Sequence, residues 1–102
     1  DWNRKSMELH NFVRGLSPYP CAKGFFRGDG KTISFRIFES RVELIEHGYE
    51  PGLFFSDGTN FLKVSCTDGY LYICSLQSEG RIRMQINEFL RGFRIESYAK
   101  II

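Results

Sequence analysis

Two histidines, His10 and His47, and three cysteines, Cys21, Cys66 and Cys74, are the most reactive side chains in this sequence. Nucleophilic catalysis would need one cysteine or a serine brought to a histidine, with a third group orienting the ring. His10 falls in a helical stretch and His47 in an acidic turn, and neither stands in a supporting motif. The same residues are scattered without the spacing of metal ligands. An odd cysteine count with no CxxC describes reduced thiols of a cytoplasmic protein. Gly28-Asp29-Gly30 has the look of a phosphate loop but lacks the strand–GxxxxGK[ST]–helix context, so it reads as a plain turn. Glu43, Glu46 and Glu50 read as a solvated edge. No catalytic, cofactor-binding or metal-binding residue is therefore expected, and the chain by itself reads as non-catalytic.

The cations are more informative. Fourteen Lys and Arg against twelve Asp and Glu give a net charge of only +2, but the charge is segregated. Residues 14–41 carry +4, residues 42–57 carry −4, and Arg81, Arg83, Arg91 and Arg94 form a second basic cluster. Such blocks can place a basic face on a nearly neutral molecule. Lys63 lies on the polar side of its segment beside Phe61, and Arg36 lies opposite the Ile33/Phe35/Ile37 face. Small five-stranded barrels use such faces for oligonucleotides, although an aromatic in a barrel is more often core than platform.

These residues need elements to hold them. Ser6 can cap a helix whose apolar positions Leu9, Phe12, Val13 and Leu16 follow the i, i+3, i+4, i+7 rule. Gly15 is placed to end it in a left-handed conformation, and Ser17-Pro18-Tyr19-Pro20 forbids continuation. Ile33, Phe35 and Ile37 alternate as in a half-buried strand. The phase slips at Glu39-Ser40, with Val42 and Leu44 the next inward candidates, which predicts a bulge. Pro51-Gly52, a Leu53-Phe54-Phe55 strand and Asp57-Gly58 follow. Leu62, Val64 and Cys66 alternate, Asp68-Gly69 signals a hairpin, and Tyr70 to Leu76 reads as a central strand. Ile86, Phe89 and Leu90 give a helical face closed by Gly92, without a good N-cap. Residues 93–102 read as a packed arm. The expectation is a mainly β protein: a small five-stranded OB-like Greek-key barrel with a short N-terminal and a C-terminal helix.

A chain of 102 residues makes one domain. Its longest unbroken apolar stretch, Tyr70 to Cys74, is five residues, too short for a membrane-spanning helix. At 16% aromatic it carries too much apolar mass for a disordered segment. It starts at Asp1-Trp2 without Met, as a cut inside a longer polypeptide would.

The order of several short motifs resembles one family. The run Phe12-Val13-Arg14-Gly15-Leu16-Ser17-Pro18-Tyr19-Pro20 is similar to the helix-to-barrel junction that opens the C-terminal domain of methionyl-tRNA formyltransferases. Pro51-Gly52 resembles its PG turn, and Cys66-Thr67-Asp68-Gly69-Tyr70-Leu71 its strand–DG–strand hairpin. The stretch from Ser75 to Met84 resembles the LQ-x-EG-basic-basic-x-M signature, followed by the EFL-x-G helix at Glu88 to Gly92. Three positions depart from the pattern: Lys23 stands where the family has Trp, Ile82 where the second basic residue would be, and Gln85 where a capping Ser is usual.

The resemblance implies a linker helix and junction over residues 1–20 and an OB-like domain over 21–102, appended to a formyltransferase catalytic domain outside this chain. It implies a monomeric cytoplasmic enzyme, with its own N-terminal catalytic domain and initiator methionyl-tRNA as partners and no membrane. That enzyme transfers a formyl group from 10-formyltetrahydrofolate, its co-substrate, to the methionine amino group. A tRNA is met largely through its backbone, which makes Arg14, Arg36, Lys63, Arg81 and Arg83 the candidate contacts, followed by Lys31 and Arg41. Two alternatives stand beside this: the barrel of a related formyltransferase acting on a nucleotide sugar or on formyltetrahydrofolate, and a purely structural or interaction barrel.

Overall fold

Alternation of buried and exposed positions organises a large share of the chain into strands. The computed structural model describes residues 2–17, 21–28, 30–93 and 98–101. The elements run α1 (Ser6–Leu16), β1 (Ala22–Gly28), β2 (Lys31–Leu44), β3 (Phe54–Ser56), β4 (Leu62–Ser65), β5 (Gly69–Ser78), β6 (Met84–Gln85), α2 (Ile86–Gly92) and β7 (Tyr98–Ile101). They form one antiparallel sheet in the order β3-β4-β5-β2-β1-β7, with β6 paired to β5. The five strands β3-β4-β5-β2-β1 curl into a half-barrel with a helix at either end of the chain. The fold is thus mainly β, as the alternation predicted. The arm after α2 adds β7 outside the five, and its Ile101 amide meets the Gly52 carbonyl at 3.3 Å, linking the two ends of the sheet.

The predicted bulge is present: the β2–β5 register shifts on both sides of Glu39. Past it, Val42 stays half-buried against the core, but Leu44 is 67% exposed, not inward. The core centres on Phe26 and Phe35, stacked at 4.4 Å, with Phe89 of α2 and Phe93 at 6.0 and 5.2 Å from the Phe26 ring. Gly24 lies beneath this stack, where a Cβ would stand 2.6 Å from the Phe35 ring. Leu62, Val64, Cys66, Leu71, Ile73 and Leu76 complete the floor.

Both helix ends differ from expectation. Lys5 holds the N-cap of α1, and the buried Ser6 is its first residue. The cap comes from across the chain: the Ser6 amide donates to Asp68 Oδ1 at 2.8 Å, and the Thr67 amide donates to the Arg4 carbonyl. That amide holds the Asp68 carboxyl below its usual range. A carboxylate on a tertiary neighbour does what a local side chain would do. Gly15 lies within the helix, and the left-handed residue of the junction is Cys21, with φ 70°. Phe12 is exposed rather than packed with Leu9 and Val13. The Pro18-Tyr19-Pro20 part of the junction and Asp29 of the first turn lie outside the described residues. For α2, Gln85 is the N-cap, and its amide donates to Glu88 Oε1, one half of a capping box.

Candidate nucleic-acid interface

The basic residues fall into two groups that differ in what their charges already touch. In the first group the cations are engaged. Lys63 Nζ lies 3.5 Å from Glu43 Oε1 and 4.1 Å above the Tyr70 ring, with Phe61 and Tyr72 also within 6 Å. Its side chain is only 21% exposed. The register puts Lys63 beside Tyr72 and Tyr70 beside Glu43, so strand pairing assembles this cage. Arg41 covers the Tyr72 ring at 3.8 Å. Arg83 donates to Ser75 Oγ at 3.0 Å, pairs with Glu39 at 3.5 Å and lies 4.5 Å from the Phe38 ring centre. Each guanidinium or ammonium here is partly neutralised or desolvated by the sheet itself.

The second group is open. Strand β1 alternates, burying Ala22, Gly24 and Phe26 and exposing Lys23, Phe25 and Arg27. Lys23 pairs in register with Arg36 of β2, and Arg36 with Gln77 of β5, which makes a row across three strands. Beside the row runs a groove of about 290 Å³ lined by Lys23, Ser34, Arg36, Gln77, Ser78 and the 79–80 turn. The acid on its rim, Glu79, accepts the Ser34 amide at 3.1 Å. Gln77 Nε2 donates to the Arg81 carbonyl at 2.9 Å, which holds the next loop against β5. Arg81 and Lys31 are exposed and form no ion pair among the described residues. Arg14, in the last turn of α1, is exposed and donates to Asn11 at 3.4 Å.

The candidates therefore divide. Arg36, Arg81 and Lys31 make no ion pair among the described residues, and Arg14 is only lightly held. Lys63, Arg83 and Arg41 are held by aromatic or acidic partners. Lys23, Phe25 and Arg27 join the open face although none was a candidate from sequence. Their signal was present as alternation, in antiphase to Ala22, Gly24 and Phe26, over a segment not read as a strand.

Of the reactive side chains, His10 and His47 are hydrogen-bonded to the scaffold and Cys66 is buried in it. His10 Nδ1 lies 2.8 Å from Ser40 Oγ at the bulge, and no carboxylate orients the ring among the described residues, so the pair ties α1 to β2. The Tyr49 amide donates to His47 Nδ1 at 3.1 Å, so the proton sits on Nε2, which donates to the Gly69 carbonyl. Burial, with Asp68 nearby, pushes the Cys66 thiol up to about 12, leaving it inert. Among the described residues no cluster of His, Cys, Asp or Glu could hold a metal, and no helix is long and apolar enough to cross a membrane.

Comparison with known proteins places the chain in a family. Residues 1–94 match the family described as formyl transferase, C-terminal domain. The methionyl-tRNA formyltransferase of Bacteroides fragilis is 38% identical over 102 residues, which is 99% of this chain and 32% of that protein. The enzyme of the same name from Chlorobium limicola is 42% identical over 99 residues, covering 94% of this chain and 30% of that protein. That of Flavobacterium johnsoniae is 36% identical over 101 residues, with 99% and 32% covered. The chain spans about a third of the length of the curated relatives it matches. With the family pattern matched from the first residue into the end of α2, the chain belongs to the formyl transferase C-terminal domain family.

Proposed function

We propose that this chain is the tRNA-contacting domain of a cytoplasmic methionyl-tRNA formyltransferase. It helps hold initiator methionyl-tRNA while a catalytic domain elsewhere in the polypeptide moves the formyl group from 10-formyltetrahydrofolate to the methionine amino group. The domain itself supplies no catalytic residue, and the enzyme works as a monomer. Relatives named for an enzyme that acts on a charged tRNA support this reading. The observation that carries it is the open row of Lys23 and Arg36, with Arg27 on the same face of β1, Arg81 in the loop held to Gln77, and no ion pair to any of them among the described residues. Such cations suit phosphates, which a folded RNA presents on its outer surface.

The test is the salt dependence of tRNA binding. Each phosphate contact contributes about 0.7–0.9 to the slope of log affinity against log salt. With this chain, replacing Arg81 with Ala should lower that slope by about one contact. Replacing Arg83 should leave it unchanged. In the parent enzyme the same Arg81 variant should raise KM for methionyl-tRNA and leave that for the folate alone. Salt-insensitive binding, or none at low salt, would leave only a structural or interaction barrel.

A further inference from the structure

Among the aromatic side chains of the sheet's outer surface, Phe25 stands apart. Tyr70, Tyr72, Phe61 and Phe38 each lie against a cation, and Tyr49 against Phe55. Phe25 is 39% exposed and has no ring or cation partner among the described residues. On the β2 side its register partner is Ser34, too small to cover a ring, and on the other side β1 pairs with β7 through Phe26–Ile101 and Arg27–Lys100. Lys23 precedes it and Arg27 follows it on the same face of β1, and Lys23 is in turn paired with Arg36. The three β1 positions span about 13 Å at the rise of a strand. The arrangement is cation, aromatic, cation along one strand, with a second cation across from the first.

We infer that this face holds a single-stranded stretch of RNA, with an unstacked base on Phe25 and its flanking phosphates at Arg27 and at the Lys23–Arg36 pair. The inference rests on the RNA-binding reading above and narrows it. A duplex keeps its bases stacked and offers a protein only backbone, 2′-hydroxyls and groove edges, so it gives an exposed Phe nothing to stack on. A single strand offers ring faces, and alternation of aromatic platform with basic residues is how sequence-tolerant single-strand grooves are built. The polar groove beside Arg36, lined by Ser34, Gln77 and Ser78, gives the next nucleotide a place to turn into.

Fluorescence anisotropy of this chain with a labelled single-stranded oligoadenylate, an RNA duplex and tRNA tests it. Phe25→Ala should weaken the single strand about 5- to 150-fold, the range of one lost base stack, and leave the duplex unchanged. Phe25→Tyr should keep the affinity, and Phe25→Leu, which keeps bulk without a ring, should lose it. If the Ala variant melts early, the Tyr and Leu pair decides. Equal binding of oligoadenylate by the Leu and Tyr variants overturns the inference. So does tRNA binding with no oligoadenylate binding, and in both cases the RNA-binding reading survives. Absence of binding to all three at low salt overturns both.

Discussion

Lys63 on β4 and Lys23 on β1 are both outward-facing lysines on one antiparallel sheet, yet their surroundings have little in common. Around Lys63 the neighbouring strands contribute Tyr70, Tyr72 and Glu43, so its charge is spent within the protein. Around Lys23 the neighbouring strands contribute Arg36 and then Gln77, and its ammonium makes no ion pair among the described residues. The difference is one of register. A cation whose cross-strand partners are rings and carboxylates stiffens the sheet. A cation whose cross-strand partner is another cation costs stability, and that repulsion is relieved when a phosphate settles between the two. The cations on the β4–β5 side touch rings and carboxylates of the sheet, and on the reading proposed above the β1–β2 face is the one that meets an anion.

The largest effect that would break this contrast lies on the open face. Replacing Lys23 and Arg36 together with Ala should weaken tRNA binding about 50-fold at 0.1 M salt and flatten the salt slope by about 1.4–1.8, two contacts' worth. Thermal stability should not fall, because the two cations repel. Unchanged affinity would make this face an ordinary solvated surface. The next effect lies on the engaged side. Lys63→Ala should cost about 1 kcal/mol of unfolding free energy, from lost ring and carboxylate contacts, with no change in tRNA affinity. Glu43→Gln sharpens the comparison, because it releases Lys63 and should steepen the salt slope by up to about 0.9. A fall in affinity for Lys63→Ala alone would place that lysine back at the interface.

The smallest effect is a pH dependence in the β3–β4 connection. Amides of Asn60 and Thr59, and also Phe61, donate to Asp57 and hold its carboxyl at about 2 against an ordinary 3.8. The folded state therefore favours the carboxylate. Its contribution is full above pH 3.8 and fades as pH falls towards about 2. Urea midpoints of the protein and of Asp57→Asn should accordingly differ near neutral pH and converge across that acidic window. Parallel midpoints down to pH 2 would remove Asp57 as the anchor of the turn.

Much of the framework was legible along the chain. Ile33, Phe35 and Ile37 announced a strand, the slip at Glu39-Ser40 announced its bulge, and Asp68-Gly69 announced the hairpin, because each is a local matter of side-chain period or turn chemistry. The site was legible only in part. Arg36 and Arg81 could be named as exposed cations, but Lys23 could be seen only as a departure from a family pattern. Its pairing with Arg36 depends on how β1 lies beside β2. Lys63 and Arg83 looked equally available until Tyr70, Glu43, Ser75 and Glu39 were brought against them from other strands.

The same division runs through the helix caps. The sequence by itself determined that α1 has an amphipathic face and stops before the prolines, since period and backbone chemistry act within a few residues. That Ser6 is capped by Asp68, sixty-two positions away, was decided by tertiary packing alone. So was the sorting of equal charges into held and free, because a charge's worth depends on which groups the fold places within a few ångströms of it.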